Sequence, residues 1–259
     1  MPGHAEPYNM PIATGAADAG RAVRWWLFAV AALVVAMVTI GGATRLTGSG
    51  LSITEWQPIM GSIPPLSEAA WLDAFAKYKM IPQYAAINRG MSLEAFKAIF
   101  WWEWGHRFLG RLIGAAFALP LAWFWLAGRL RSDLKAPLAG LLLLGGLQGF
   151  VGWFMVQSGL SERVEVSQYR LALHLALAFL VLGGLLWQGL KLGDRRPRGI
   201  ALRTITRGQV RLAVAIAGLV FLQVLAGAFV AGLKAGLTHN TWPLMDGRLV
   251  PGGLATLSP

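Results

Sequence analysis

Apolar positions along this chain fall in long unbroken runs, not in the alternation of a strand or the one-sided stripe of a soluble helix. The runs Trp25–Ala43, Ala136–Val156 and Leu212–Leu233 carry no charge, and each approaches the roughly 20 helical residues that cross a hydrocarbon core. A further run, Leu171–Leu190, contains one ionisable group, His174. Leu112–Ala127 is too short alone, so its helix must extend back through Phe100–Arg111. That extension takes Glu103, His106, Arg107 and Arg111 to the membrane's edge or into it. The pattern predicts an all-α, polytopic membrane helix bundle of about five spans.

Basic residues between the runs orient the chain. Arg129, Arg131 and Lys135 follow the second span, and Lys191, Arg195, Arg196, Arg198, Arg203, Arg207 and Arg211 follow the fourth. The connection between the third and fourth spans balances Arg163 and Arg170 with Glu162 and Glu165. The positive-inside rule therefore places the N-terminus in the cytoplasm. The expected organisation is a cytoplasmic tail over 1–24 and a four-helix half over 25–191, with an external loop at 44–99. A basic cytoplasmic loop over 192–208 and a last segment, 209–259, complete it. Met1–Gly20 has no apolar core of signal-peptide length and includes Glu6 and Asp18, which favours a bacterial inner membrane over an organelle.

Composition agrees with the pattern: 56% of residues are apolar and 14% charged, against about 25% charged in soluble domains. The absence of cysteine excludes disulfides, thiolate metal sites and c-type heme attachment. A net charge of +11 would suit nucleic acid, but the basic residues cluster between spans, so the charge is topology and no nucleic-acid partner is expected. Membrane lipid is the surrounding partner.

Candidate chemistry rests on four histidines, His4, His106, His174 and His239. On a helix, Glu103, His106 and Arg107 share a face, and ionisable groups at a membrane boundary are costly unless paired or functional. A snorkelling Glu–Arg pair beside an interfacial histidine is the bland alternative. His174 lies near the outer end of the fourth span, which runs parallel to the second. The depths of His106 and His174 differ by about six residues, roughly 9 Å. Two imidazoles on facing helices can hold a heme edge-on in the bilayer, and this pair is the candidate iron-ligand set. Arg107 and Arg111 could meet propionates, or simply anchor the helix at the interface. Gly110 and Gly114, and the pairs Gly41-Gly42, Gly145-Gly146 and Gly183-Gly184, allow close helix approach or room for a flat ligand. His4 is given no role, and His239 lies in the last external loop.

A weak internal repeat links Gly50–Gly61 with Gly236–Gly247, each reading Gly-Leu-(Ser/Thr) and then Trp, Pro, Met and Gly. The first and fifth spans thus look like the opening helices of two tandem halves.

The stretch Gly41-Gly42-Ala43-Thr44-Arg45-Leu46-Thr47-Gly48-Ser49-Gly50-Leu51-Ser52, with Glu55-Trp56-Gln57-Pro58, Glu103-Trp104-Gly105-His106-Arg107 and Trp242-Pro243-Leu244-Met245-Asp246-Gly247, closely resembles the heme A synthase family, in its proteobacterial and mitochondrial branch. The resemblance implies two four-helix halves, each with a histidine pair for heme. It implies an oxidoreductase that converts heme O to heme A, the C8 methyl becoming a formyl group with water as oxygen source, for cytochrome oxidase assembly. It carries the first histidine pair to His106 and His174, and the family's important acid to Glu103. Heme O is then the substrate of the first half, and heme b the resident cofactor of a second half. On this expectation the chain is truncated after the fifth helix. Heme O synthase, an unidentified electron acceptor and a second copy of the chain are the partners it admits. A b-type cytochrome module would use the same histidines without Glu103, and a non-catalytic fragment would hold no heme.

Overall fold

The computed structural model describes residues 12–160, 164–193, 205–238, 240–245 and 247–250. Helices dominate: α1 (Ile12–Leu46), α2 (Glu68–Tyr78), α3 (Pro82–Ala86), α4 (Leu93–Leu126), α5 (Ser132–Gly159), α6 (Gln168–Lys191), α7 (Arg207–Gly232) and α8 (Ala235–Thr238). A single 3-10 turn covers Met60–Ser62. Among the described residues β pairing is limited to one isolated bridge, Met245 with Arg248. Five helices, α1, α4, α5, α6 and α7, are long and apolar enough to span a bilayer, as the hydropathy runs predicted. The molecule is a multi-pass membrane protein.

Local signals set the helix ends. Ser67 and Ser92 cap α2 and α4, each accepting a hydrogen bond from a backbone N–H three residues on. Thr206 and Gln209 form a reciprocal capping box on α7. Gly128 takes a left-handed φ of 65° just past α4, letting Arg129 N–H return to the Phe124 carbonyl at 2.9 Å.

α1, α4, α5 and α6 form the four-helix unit, with α1 packed on α4 and α6, and α5 on α6. α7 lies against α6 from outside. Two apolar cores occupy opposite ends of the unit. One joins Val23, Leu27, Val34, Phe117, Leu121 and Leu138. The other joins Leu51, Phe75, Tyr78, Phe96 and Phe100.

Residues 44–99 are not an extended loop. The first three complete α1, the last seven begin α4, and α2 and α3 fold back over the end of the bundle. Phe75 stacks on Phe96 at 4.9 Å, and the Tyr78 hydroxyl donates to Gln83 and accepts from Asn88. Burial pushes the Tyr78 phenol up from its ordinary pKa. α1 likewise starts at Ile12, within the segment expected to be a tail.

Pro120 lies inside α4 and cannot donate to the Ala116 carbonyl one turn back. The Trp26 indole N–H fills that vacancy from α1 at 2.8 Å, with its ring stacked on Phe117. Trp26→Phe should leave that carbonyl unpaired and cost about 1 kcal/mol. Pro120→Ala restores a backbone donor, so the double variant should recover most of the loss in thermal unfolding in detergent. Equal losses with and without Pro120 would remove indole donation as the cause.

Candidate functional site

At the end capped by α2 and α3, α4 presents Glu103, His106, Arg107 and Arg111 along one face. The Glu103 side chain is only 3% exposed. Its Oε2 accepts from the Ser52 hydroxyl at 2.7 Å and the Ile53 N–H at 2.8 Å. Its Oε1 accepts from the Arg107 guanidinium at 2.6 Å. Both carboxylate oxygens are therefore engaged, which is how a buried charge is tolerated.

Arg107 also donates to the carbonyls of Ile53 and Glu55, at 2.8 and 3.2 Å. One turn further, Arg111 donates to the carbonyls of Pro58 and Gln57, at 2.7 and 2.9 Å. These bonds bind residues 52–61 to α4 as a strap. Gly61 closes it: a Cβ there would come within 2.9 Å of the Arg111 guanidinium. On its other side the strap leans on α5, where Trp56 meets Trp153 at a ring separation of 6.2 Å. A small cleft lined by Ile53, Trp56, Arg107, Trp153 and Gln157 remains beneath. One terminal nitrogen of Arg111, Nη1, is buried without a partner.

The two histidines sit below the strap, between the apolar cores. His106 lies on Gly41 of α1, where a Cβ would stand 3.0 Å from Nε2. His174 lies on Gly152 of α5, where a Cβ would stand 2.9 Å from Cε1. Each imidazole therefore rests on bare backbone. The Nε2 of His174 is 3.4 Å from the Gln148 amide nitrogen, while its Nδ1 is buried with no partner. Two imidazoles, each bedded on a glycine, fit an iron-porphyrin held by histidine.

Of the other glycines singled out by sequence, Gly110 faces Met37 and Gly184 faces Leu141, both as helix contacts, while Gly42, Gly114, Gly145, Gly146 and Gly183 meet nothing close. His4, His239 and Asp246 lie outside the described residues, as do Glu162, Arg163 and most of the basic loop at 194–204. Among the described residues no group of three or more His, Asp or Glu side chains is arranged for a metal ion.

The two copies of the repeat differ in setting. The first is the strap, whereas in the second Trp242 is 92% exposed. The helices that precede the two copies are joined by Arg45, at the end of α1, which donates to the Ala231 and Gly232 carbonyls at the end of α7 and pairs with Glu165. Lys234 also pairs with Glu165.

Ser52, Gly152 and Gln148 were not singled out by sequence. Gln148 had a signal, as the lone amide in the run Ala136–Val156. Ser52 stands in the family-like stretch and in the repeat, but its role depends on a contact 51 positions away.

The pattern of the COX15-CtaA family, described as cytochrome oxidase assembly protein, matches residues 24–259. The chain is 58% identical over 246 residues to the heme A synthase of Azorhizobium caulinodans, covering 94% of this chain and 69% of that protein. It is 54% identical over 238 residues to the heme A synthase of Parvibaculum lavamentivorans, covering 92% and 68%. With the heme A synthase of Brucella anthropi the identity is 55% over 243 residues, covering 92% and 66%. The chain thus spans about two thirds of the length of these relatives. No solved structure gives a significant match.

The strap geometry generates a test. Arg111→Ala removes two charge-assisted bonds to the strap and should raise protease cleavage within 55–61 about tenfold, with helix content unchanged. An unchanged cleavage rate would show that the strap is held by other contacts.

Proposed function

The chain belongs to the COX15-CtaA family of cytochrome oxidase assembly proteins and is a membrane oxidoreductase of heme A biosynthesis. We propose that it acts on heme O, oxidising the C8 methyl group to the formyl group of heme A with water as the oxygen source. The observation that carries this reading is the pair of imidazoles bedded on bare backbone, His106 on Gly41 of α1 and His174 on Gly152 of α5. His106 and His174 would hold the iron of heme O as substrate.

Conversion of a methyl to a formyl group takes up one water and gives up four electrons and four protons. The electrons pass to a membrane acceptor. Glu103 lies one helical turn from His106, with its oxygens fixed by Ser52, Ile53 and Arg107. Held so, it keeps negative charge beside the carbon on which positive charge develops before water adds. To accept a proton it would have to release one of those donors. Arg107 is the cofactor-side cation in this proposal, and a ligand carboxylate would compete with the strap carbonyls for its guanidinium. A resident heme b would need a second histidine pair. This chain's other histidines are His4 and His239, so its facing pair fits one heme.

The strap end faces out of the cytoplasm in this proposal, because the basic residues gather at the opposite end, and a bacterial inner membrane is the location. Heme O synthase would supply the substrate. A b-type cytochrome would need the histidines alone. A buried, fully bonded Glu103 beside them is expensive in a membrane and favours the enzyme.

The test is product analysis in a host that makes heme O and lacks heme A. The chain should yield heme A on extraction, Glu103→Gln should leave heme O unconverted, and His174→Ala should purify without heme. Bound heme that changes redox state but never yields heme A would favour the cytochrome, and absence of heme would favour a non-catalytic fragment. Independently, Gly152→Ala should lower heme occupancy at least tenfold by pushing the His174 ring off its floor, measured by pyridine hemochrome. Full occupancy in that variant would exclude the cradle.

A further inference from the structure

The chemistry above makes no use of Gln148, the amide within the apolar body of α5. It lies one helical turn before Gly152, on the same face, so the two residues together define where His174 can be. Gly152 supplies the floor, and the amide meets the ring at Nε2. That contact is 3.4 Å, long for a hydrogen bond. The side-chain oxygen of Gln148, Oε1, is buried without a partner, and so is the other ring nitrogen, Nδ1. A weak contact with an unsatisfied atom on each side is one that a stronger ligand displaces at little cost.

Which nitrogen the amide holds matters. Nδ1 is the nitrogen next to the ring's attachment point and Nε2 lies at the ring's outer edge, so Nε2 is the one a porphyrin iron reaches more easily, although the Gly152 floor is nearly equidistant from both. In permanent metal sites the outer partner holds the nitrogen that the metal does not use. Here the arrangement is inverted, because the partner sits on the ligating nitrogen itself. We propose that Gln148 is a positioning residue for ligand exchange, occupying His174 Nε2 while no iron is bound and competing for it thereafter. This rests on the reading of His174 as an iron ligand for the substrate. An enzyme whose substrate and product both bind through iron must let go after turnover. A histidine that returns to a waiting amide releases iron faster than one that returns to an empty apolar pocket.

The experiment uses the purified chain in lipid nanodiscs, with iron protoporphyrin IX as probe. Affinity is read from the Soret band, and release from transfer to excess apomyoglobin. Gln148→Leu should release heme about three- to tenfold more slowly and bind it correspondingly tighter, with the low-spin bands unmoved. Gln148→Asn keeps the amide but withdraws it by one methylene, so it should do the same and decides the matter if the leucine variant folds poorly. A purely structural role would give faster release and shifted bands. Unchanged or faster release in both variants, with binding still abolished by His174→Ala, overturns the exchange role and leaves the heme site standing. If the unaltered chain takes up no heme, or His174→Ala binds it equally well, both ideas fall.

Discussion

A carboxylate buried near the end of a membrane helix must have its lone pairs answered, and Glu103 finds the answers in two sequence-distant donors and one a helical turn away. The Ser52 hydroxyl, the Ile53 N–H and the Arg107 guanidinium converge on it. Because one of these donors is backbone, the carboxylate fixes the course of the chain as well as its own charge. Arg107 and Arg111 then hold the next residues by their carbonyls, and the strap follows. An ion pair alone would contribute little to stability. Its value here is that satisfying one buried charge determines where a whole segment must run.

That segment runs beside the layer that separates the bundle's two apolar cores. Large apolar side chains are concentrated in two cores, one toward the far end and one beneath α2 and α3. Between them are glycines, two histidines and an amide. There the imidazoles rest on bare backbone instead of on leucine or phenylalanine, which suits a ligand gripped at its centre.

The spans were legible because a bilayer imposes length and apolarity on every helix that crosses it. The shared face of Glu103, His106 and Arg107 was legible because helical periodicity is local. Meetings between helices were not. The floors of His106 and His174 are Gly41 on α1 and Gly152 on α5, and nothing in the sequence around either histidine names the helix that supplies its glycine. Segment 44–99 reads as a loop because its helices α2 and α3 are short, and their stability comes from Phe75, Tyr78 and Phe96 meeting across the fold. The pairing of Trp26 with the carbonyl orphaned by Pro120 is of the same kind: the proline announces a missing donor, but nothing local says which helix supplies it.

The position of α1 has a consequence for the order in which the chain is made. α1 is synthesised first, yet it lies between α4 and α6, and α6 is the last member of the four-helix unit to leave the ribosome. Gly41 receives His106 as soon as α4 is inserted, and the strap can lock at the same stage because its partners are already present. His174 comes with α6. A nascent chain therefore carries a finished strap and half a cradle, and the two-sided grip on a ligand is completed only when the four-helix unit closes.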